Sequence, residues 1–143
     1  IEPVDYNLLH KEGIHYLKKI VGDETAKYYL ERSNVASVLK YIPRYLQSVK
    51  HETRKSTIKE VLGYLKRGDL VGAEVNSDIL NNRSGFNLHF VLLYGFDGTY
   101  ILLHDPGLPP IKARKVTIAE YEKCWNFPGS NAGIIVFRGK NHI

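Results

Sequence analysis

The segment from His89 to Asp105, HFVLLYGFDGTYILLHD, constrains the fold more than any other part of the chain. Two apolar runs, Phe90 to Phe96 and Thr99 to Leu103, are rich in the β-branched and aromatic side chains that suit a pleated sheet. Asp97-Gly98 stands between them and supplies the positive backbone angles of a tight reversal. The segment therefore predicts an antiparallel hairpin. Its polar residues gather at the open end: His89 begins the first strand, and His104-Asp105 closes the second before Pro106-Gly107 ends it. An imidazole and a carboxylate are brought side by side.

Register decides whether that pair can meet, because successive side chains of a strand point to opposite faces. With Asp97-Gly98 as a strict two-residue turn, Asp105 falls across from Phe90, on the face away from His89. One extra loop residue, or one bulge, moves Asp105 across from Val91 and makes it a diagonal neighbour of His89.

The chain ahead of the hairpin reads as helical. Residues 1 to about 6 form an extended lead-in with Pro3, and from Asn7 the apolar positions Leu8, Leu9, Ile14, Leu17, Ile20 and Val21 recur at helical spacing. Gly22 ends that helix and Asp23 caps the next; Asn34 or Ser33 caps a third, which Pro43 kinks or restarts. Lys50 to Lys55 is a charged, solvated connector. Thr57 with Glu60 makes a capping box for a helix whose stripe is Ile58, Val61, Leu62 and Leu65, and Gly68 closes it. Leu70 to Val75 reads as a strand and NSDILNNRSGFN as a loop. After the hairpin, Gly107-Leu108-Pro109-Pro110 is too proline-rich for a central strand. Ile111 to Val116 is expected as an edge strand with its lysines and arginine outward. Thr117 and Glu120 open a short helix that reaches Trp125, and Gly133 to Phe137 is a last strand. About four helices precede about four strands, which is the α+β class with an antiparallel sheet.

At 143 residues the chain is expected to be a single domain, 1–143, helical over 7–67 and sheet over 69–138, burying roughly two thirds of its unfolded surface. A net charge of +5, spread along the chain, reads as a solvated surface sooner than as a nucleic-acid footprint, which would cluster on one face, so no nucleic-acid partner is expected and a basic-surface nucleic-acid binder is the third-ranked alternative. No window approaches the ~18 apolar residues of a membrane span, so no membrane partner is expected. The one cysteine, Cys124, forms no internal disulfide and leaves the compartment undecided. There is no methionine and the first residue is Ile1, so the chain reads as a processed product or as part of something longer.

The chemistry-bearing candidates are His89 and Asp105. A histidine oriented by a carboxylate acts as general base toward a serine or cysteine nucleophile and later returns the proton to the leaving group. Cys124, between Lys123 and Trp125 near the end of a short helix, lacks the helix N-terminus that favours a thiolate and reads as a small core hydrophobe. His104 invites a metal site with His89, but zinc wants at least three protein ligands and His104 adjoins Asp105 on a strand, so neither metal nor cofactor is expected. Ser77, Ser84 and Asn87 precede His89 and could border a substrate cleft.

The wording of the segment resembles the second half of papain-like cysteine peptidases, in particular the branch of bacteriocin-processing, double-glycine-leader peptidases. The likeness rests on a histidine opening a strand, an apolar run ending in Gly95-Phe96, a turn, a second apolar strand and then Asp105-Pro106-Gly107. Gly68-Asp69-Leu70-Val71, the asparagine-rich loop and Cys124-Trp125 also resemble that branch, so the likeness spans roughly Thr57 to Trp125. It implies a papain-like fold with N-terminal helices packed on a small antiparallel sheet. It further implies peptide bond hydrolysis on a peptide or protein substrate, with His89 as base and Asp105 as its orienting partner. The same-face register follows from it, and with that an irregular turn around Phe96 to Tyr100. The family's nucleophilic cysteine opens a helix well upstream of the histidine, behind a glutamine. Here no cysteine precedes His89, and Gln47, the only glutamine, has no Cys-Gly behind it. The nucleophile is therefore expected upstream of Ile1, on an N-terminal segment of the same protein or on another chain. The alternative is an inactive homologue that keeps the groove as a peptide-binding or interaction module.

Overall fold

A computed structural model describes residues 1–107 and 109–139; Leu108 of the proline-rich run and residues 140–143 lie outside the described residues. The chain divides into two compact units, Ile1–Lys55 with Gly129–Asn131, and Ser56–Pro128 with the chain from Ala132 onward. Among the described residues no helix is long and apolar enough to cross a membrane.

The first unit holds three helices, α1 (Tyr6–Glu12), α2 (Ile14–Arg32) and α3 (Val35–Ser48), packed on one another. The single helix expected from Asn7 to Val21 is broken early. Gly13, at φ +62°, ends α1 by donating its N–H to the Leu9 carbonyl at 2.8 Å, a left-handed turn that glycine takes without a Cβ penalty. Gly22 does interrupt the helical path, at φ 80° and ψ 166°. Asn34 is the cap of α3, accepting from the Ser37 N–H at 3.0 Å. Pro43 lies inside α3 without ending it. The Leu39 carbonyl, whose helical donor would be the N–H that proline lacks, accepts instead from His10 Nδ1 at 3.0 Å. Val4, Leu9, Tyr16 and Ile42 form the core of this unit.

The second unit is built on five antiparallel strands, β1 (Leu70–Asn76), β2 (Leu88–Phe96), β3 (Tyr100–Asp105), β4 (Ile111–Thr117) and β5 (Ile134–Phe137), in the order β4-β3-β2-β1-β5. It is thus α+β, and each of the five strands overlaps one read from the sequence. Helices α4 (Ile58–Lys66) and α6 (Ile118–Trp125) pack on the sheet, each opened by its expected capping box, Thr57 with Glu60 and Thr117 with Glu120. One sheet face carries Val71, Ala73, Val75, Val91, Leu93, Ile101 and Leu103, none more than 1 % exposed. Val61 and Leu65 of α4 and Tyr121, Cys124 and Trp125 of α6 complete that core. Each such aliphatic side chain contributes about 1.5–3 kcal/mol on burial. The segment expected as a plain loop after β1 forms one helical turn, α5 (Ser77–Leu80), because the Asn76 side chain caps it through the Asp78 N–H at 3.0 Å.

Two irregularities set the register of β3. The hairpin closes with the Asp97 N–H on the Tyr100 carbonyl, and Asp97 Oδ1 accepts from the N–H groups of Thr99 and Tyr100 at 3.0 and 2.7 Å. Gly98 and Thr99 are therefore the central residues, one position later than Asp97-Gly98 predicts, and Gly98 takes the positive φ of 98°. Uncorrected, that turn would set Asp105 across from Leu92, away from His89. The register shifts between Leu93 and Gly95, so Tyr94 bulges, and beyond it Leu92 faces His104. Asp105 then falls across from Val91, on the side of His89. The irregularity expected in the turn lies inside the strand instead.

The second irregularity is in β4, where Leu103 faces Arg114 but Asp105 faces Ile111. Lys112 and Ala113 together oppose His104, with Ala113 left-handed at φ +56°. The bulge places apolar Ile111, and not Lys112, across from Asp105.

Two stability outcomes follow. Ala113 in the left-handed region costs about 1 kcal/mol that glycine avoids, so Ala113→Gly should hold or raise the urea midpoint while Ala113→Val lowers it. The hydroxyl of Tyr121, 0 % exposed, meets no hydrogen-bond partner among the described residues, so Tyr121→Phe should leave stability equal or raise it by about 1 kcal/mol in the same titration.

Candidate active site

The bulge at Tyr94 has its consequence at the open end of the hairpin. His89 Nε2 and Asp105 Oδ1 are 2.6 Å apart, with His89 partly exposed and Asp105 only 6 % exposed. The structure thus brings together the two residues singled out from the sequence. A carboxylate only accepts, so Nε2 carries the proton it donates to Asp105. Nδ1 is left with the ring's lone pair, which makes it the atom able to take a proton.

Asp105 is held from three sides. Besides His89, its Oδ1 accepts from the Gly107 N–H at 3.0 Å. Its Oδ2 lies 3.6 Å from Nη1 of Arg114. A buried carboxylate is expensive unless such partners stand around it. A Cβ on Gly107 would crowd the pair, lying 3.0 Å from Asp105 Oδ1 and 3.4 Å from His89 Nε2, so those side chains would have to give by a few tenths of an ångström.

A cavity of about 730 Å³ opens at the pair; besides His89 and Asp105, its walls are Pro106, Gly107, Pro109 and Ile111 from the chain after β3 and, as a second wall in sequence, Ser77, Asn81, Arg83 and Asn87 from between β1 and β2. The second wall is tied to itself. Ser77 Oγ donates to the Asn87 carbonyl at 3.1 Å and accepts from Asn87 Nδ2 at 3.0 Å, and Asn81 Nδ2 donates to the Ser77 carbonyl at 2.8 Å. Ser77 and Asn87 border the cleft as anticipated, whereas Ser84 is not among the residues that line it.

Arg114 corrects one expectation and went unnoticed in another. It was expected to point outward with Lys112 and Lys115, but its side chain is 18 % exposed and turned inward. The signal was present in the strand: Arg114 lies two positions before the buried Val116, and a period of two puts both on one face. Gly107 and Asn81 had no comparable signal, since nothing in a loop's composition says which backbone approaches a carboxylate.

His104 sits on the opposite face from His89. Its ring stacks on Tyr94 with centroids 4.4 Å apart, and its Nδ1 accepts from the Ala113 N–H at 3.2 Å. Among the described residues no three His, Cys, Asp or Glu side chains are grouped to hold a metal ion.

Cys124 is 0 % exposed, and its Sγ donates to the Tyr121 carbonyl at 3.2 Å. Burial pushes its thiol up to about 12 from an ordinary 9.0. The folded chain then keeps the thiol protonated where the unfolded chain has ionised it, so this contribution is whole below pH 9.0 and is lost as the pH rises toward about 12. A thiol reagent at neutral pH should count no reactive sulfur in the native chain and one after unfolding in guanidinium, and the urea midpoint should fall between pH 9 and 11.

No protein-family model, no curated protein and no solved structure matches this chain.

Proposed function

We propose that this chain carries the base and the orienting acid of a papain-like cysteine peptidase domain. What supports this most is the 2.6 Å contact between His89 Nε2 and the buried Asp105, which leaves Nδ1 of the neutral ring as proton acceptor, in a pair that lines a cavity of about 730 Å³. In this reading the nucleophile is a cysteine on a segment outside residues 1–143, belonging to the same protein or to another chain. His89 Nδ1 takes the thiol proton, the thiolate attacks a peptide carbonyl, and the same nitrogen returns the proton to the departing amine. Asp105 holds the ring in the tautomer this requires and stabilises the imidazolium that forms. Water then repeats the sequence on the acyl-enzyme and frees the second product.

One observation favours a second reading, in which the domain binds peptides without cleaving them. Within the described residues neither Cys124 nor Ser77 is placed on His89 as a nucleophile: the one is buried in the core and the other is bonded to Asn87.

The complete gene product decides between them. On the peptidase reading it hydrolyses peptides, alkylation of its thiols abolishes the activity, and His89→Ala and Asp105→Ala each lower kcat/KM by about 10²–10⁴-fold. Hydrolysis indifferent to His89→Ala overturns that reading. Absence of hydrolysis, with peptide binding that His89→Trp blocks in the cavity, establishes the binding module.

A further inference from the structure

Arg114 stands at the junction between the His89–Asp105 pair and the wall of the cavity. Its Nη2 donates to the Leu80 carbonyl at 2.5 Å and its Nη1 to Asn81 Oδ1 at 2.8 Å, while Nη1 also faces Asp105 Oδ2 at 3.6 Å. Leu80 is the last residue of α5 and Asn81 its C-terminal flank, so the guanidinium fills one carbonyl that the helix end leaves open and the side-chain oxygen of the residue next to it. One planar cation thereby fastens the loop that walls the cavity to the acid that orients the base.

The division of labour on the carboxylate is what makes this more than packing. Oδ1 receives His89 and Gly107, and Oδ2 receives only the charge of Arg114 among the contacts described. Without that charge, Oδ2 is a nearly buried anionic oxygen with no partner there. The carboxylate would then be drawn to rotate toward other donors, and that rotation removes the acceptor that His89 Nε2–H uses. Arg114's own hydrogen bonds run to α5, so the guanidinium is anchored independently of Asp105 and is a fixed reference for it. A guanidinium suits the position because its fork reaches two acceptors in one plane, which an ammonium cannot do.

We infer that Arg114 is the positioning residue of the site: fastened to Leu80 and Asn81, it holds the Asp105 carboxylate in the orientation that His89 needs. The inference rests on the His89–Asp105 reading of the site but not on peptide hydrolysis, so it is tested without an activity assay. In the 15N-histidine-labelled chain the strongly deshielded Nε2–H proton of His89 reports the bond to Asp105, assigned by its loss in His89→Gln. Arg114→Met should raise the exchange of that proton with water by about tenfold or more. Arg114→Lys, which returns the charge without the fork, should recover part of the protection. Asn81→Ala, which keeps the charge and removes one anchor, should fall between Arg114→Met and the unaltered chain, and it decides the matter should Arg114→Met fail to fold. Unaltered exchange in a folded Arg114→Met chain, or in Asn81→Ala where that chain does not fold, overturns the role of Arg114 and leaves the pair standing. Absence of the deshielded proton from the unaltered chain removes the pair itself, and the inference with it.

Discussion

A carboxylate that is nearly buried dictates most of what surrounds it. Asp105 is 6 % exposed, and its charge is tolerable only because donors reach it from separate parts of the chain. His89 comes from the start of β2, Gly107 from the turn after β3, and Arg114 from β4. His89 and Gly107 come with the β2–β3 hairpin and the turn that follows it, whereas Arg114 comes from the next strand and the loop it is bonded to from before the hairpin. The site is therefore a product of the assembled sheet, and whatever displaces one strand relative to the next disassembles it.

This explains why the sheet is irregular where it is. An ideal hairpin closed at Gly98-Thr99 would turn Asp105 away from His89, and the residue absorbed at Tyr94 turns it back. The bulge in β4 brings Ile111 across from the acid where Lys112 would otherwise stand. His104 pins both: its ring lies on that of Tyr94, and its Nδ1 accepts the N–H of the left-handed Ala113. A histidine that looked from its neighbours like a possible metal ligand is accounted for by two contacts of this kind. Bulges near functional sites re-aim side chains, and here two of them, joined through one imidazole, act on the same carboxylate.

Much of this was legible in the residues and part was not, for identifiable reasons. The two capping boxes, the breaks at Gly22 and Gly68, and the strands around the hairpin follow from local chemistry, which a linear chain displays directly. The meeting of His89 with Asp105 was legible only as a condition: some irregularity had to supply one residue of offset. Where it would lie was not, because Asp97 can serve either as a left-handed turn residue or, as it does, as an acceptor for Thr99 and Tyr100. Arg114 was obscured by the lysines around it, which made a strand with one inward cation look uniformly solvated. The helical turn at Ser77–Leu80 was hidden in a run of residues that also favour loops, and only the Asn76 side chain tips the balance.

What the site lacks is as informative as what it holds. Catalysis by an oriented imidazole needs a nucleophile hydrogen-bonded to the ring nitrogen that the acid leaves open. Among the described residues the two groups with suitable chemistry are committed elsewhere, Ser77 to the carbonyl and amide of Asn87 and Cys124 to a core that keeps its thiol protonated. On the peptidase reading proposed above, an incoming thiol would meet a ring bonded to the acid, an acid faced by the Arg114 cation, and a cavity that both His89 and Asp105 line. It is on that reading that the nucleophile enters this cavity from a segment outside residues 1–143.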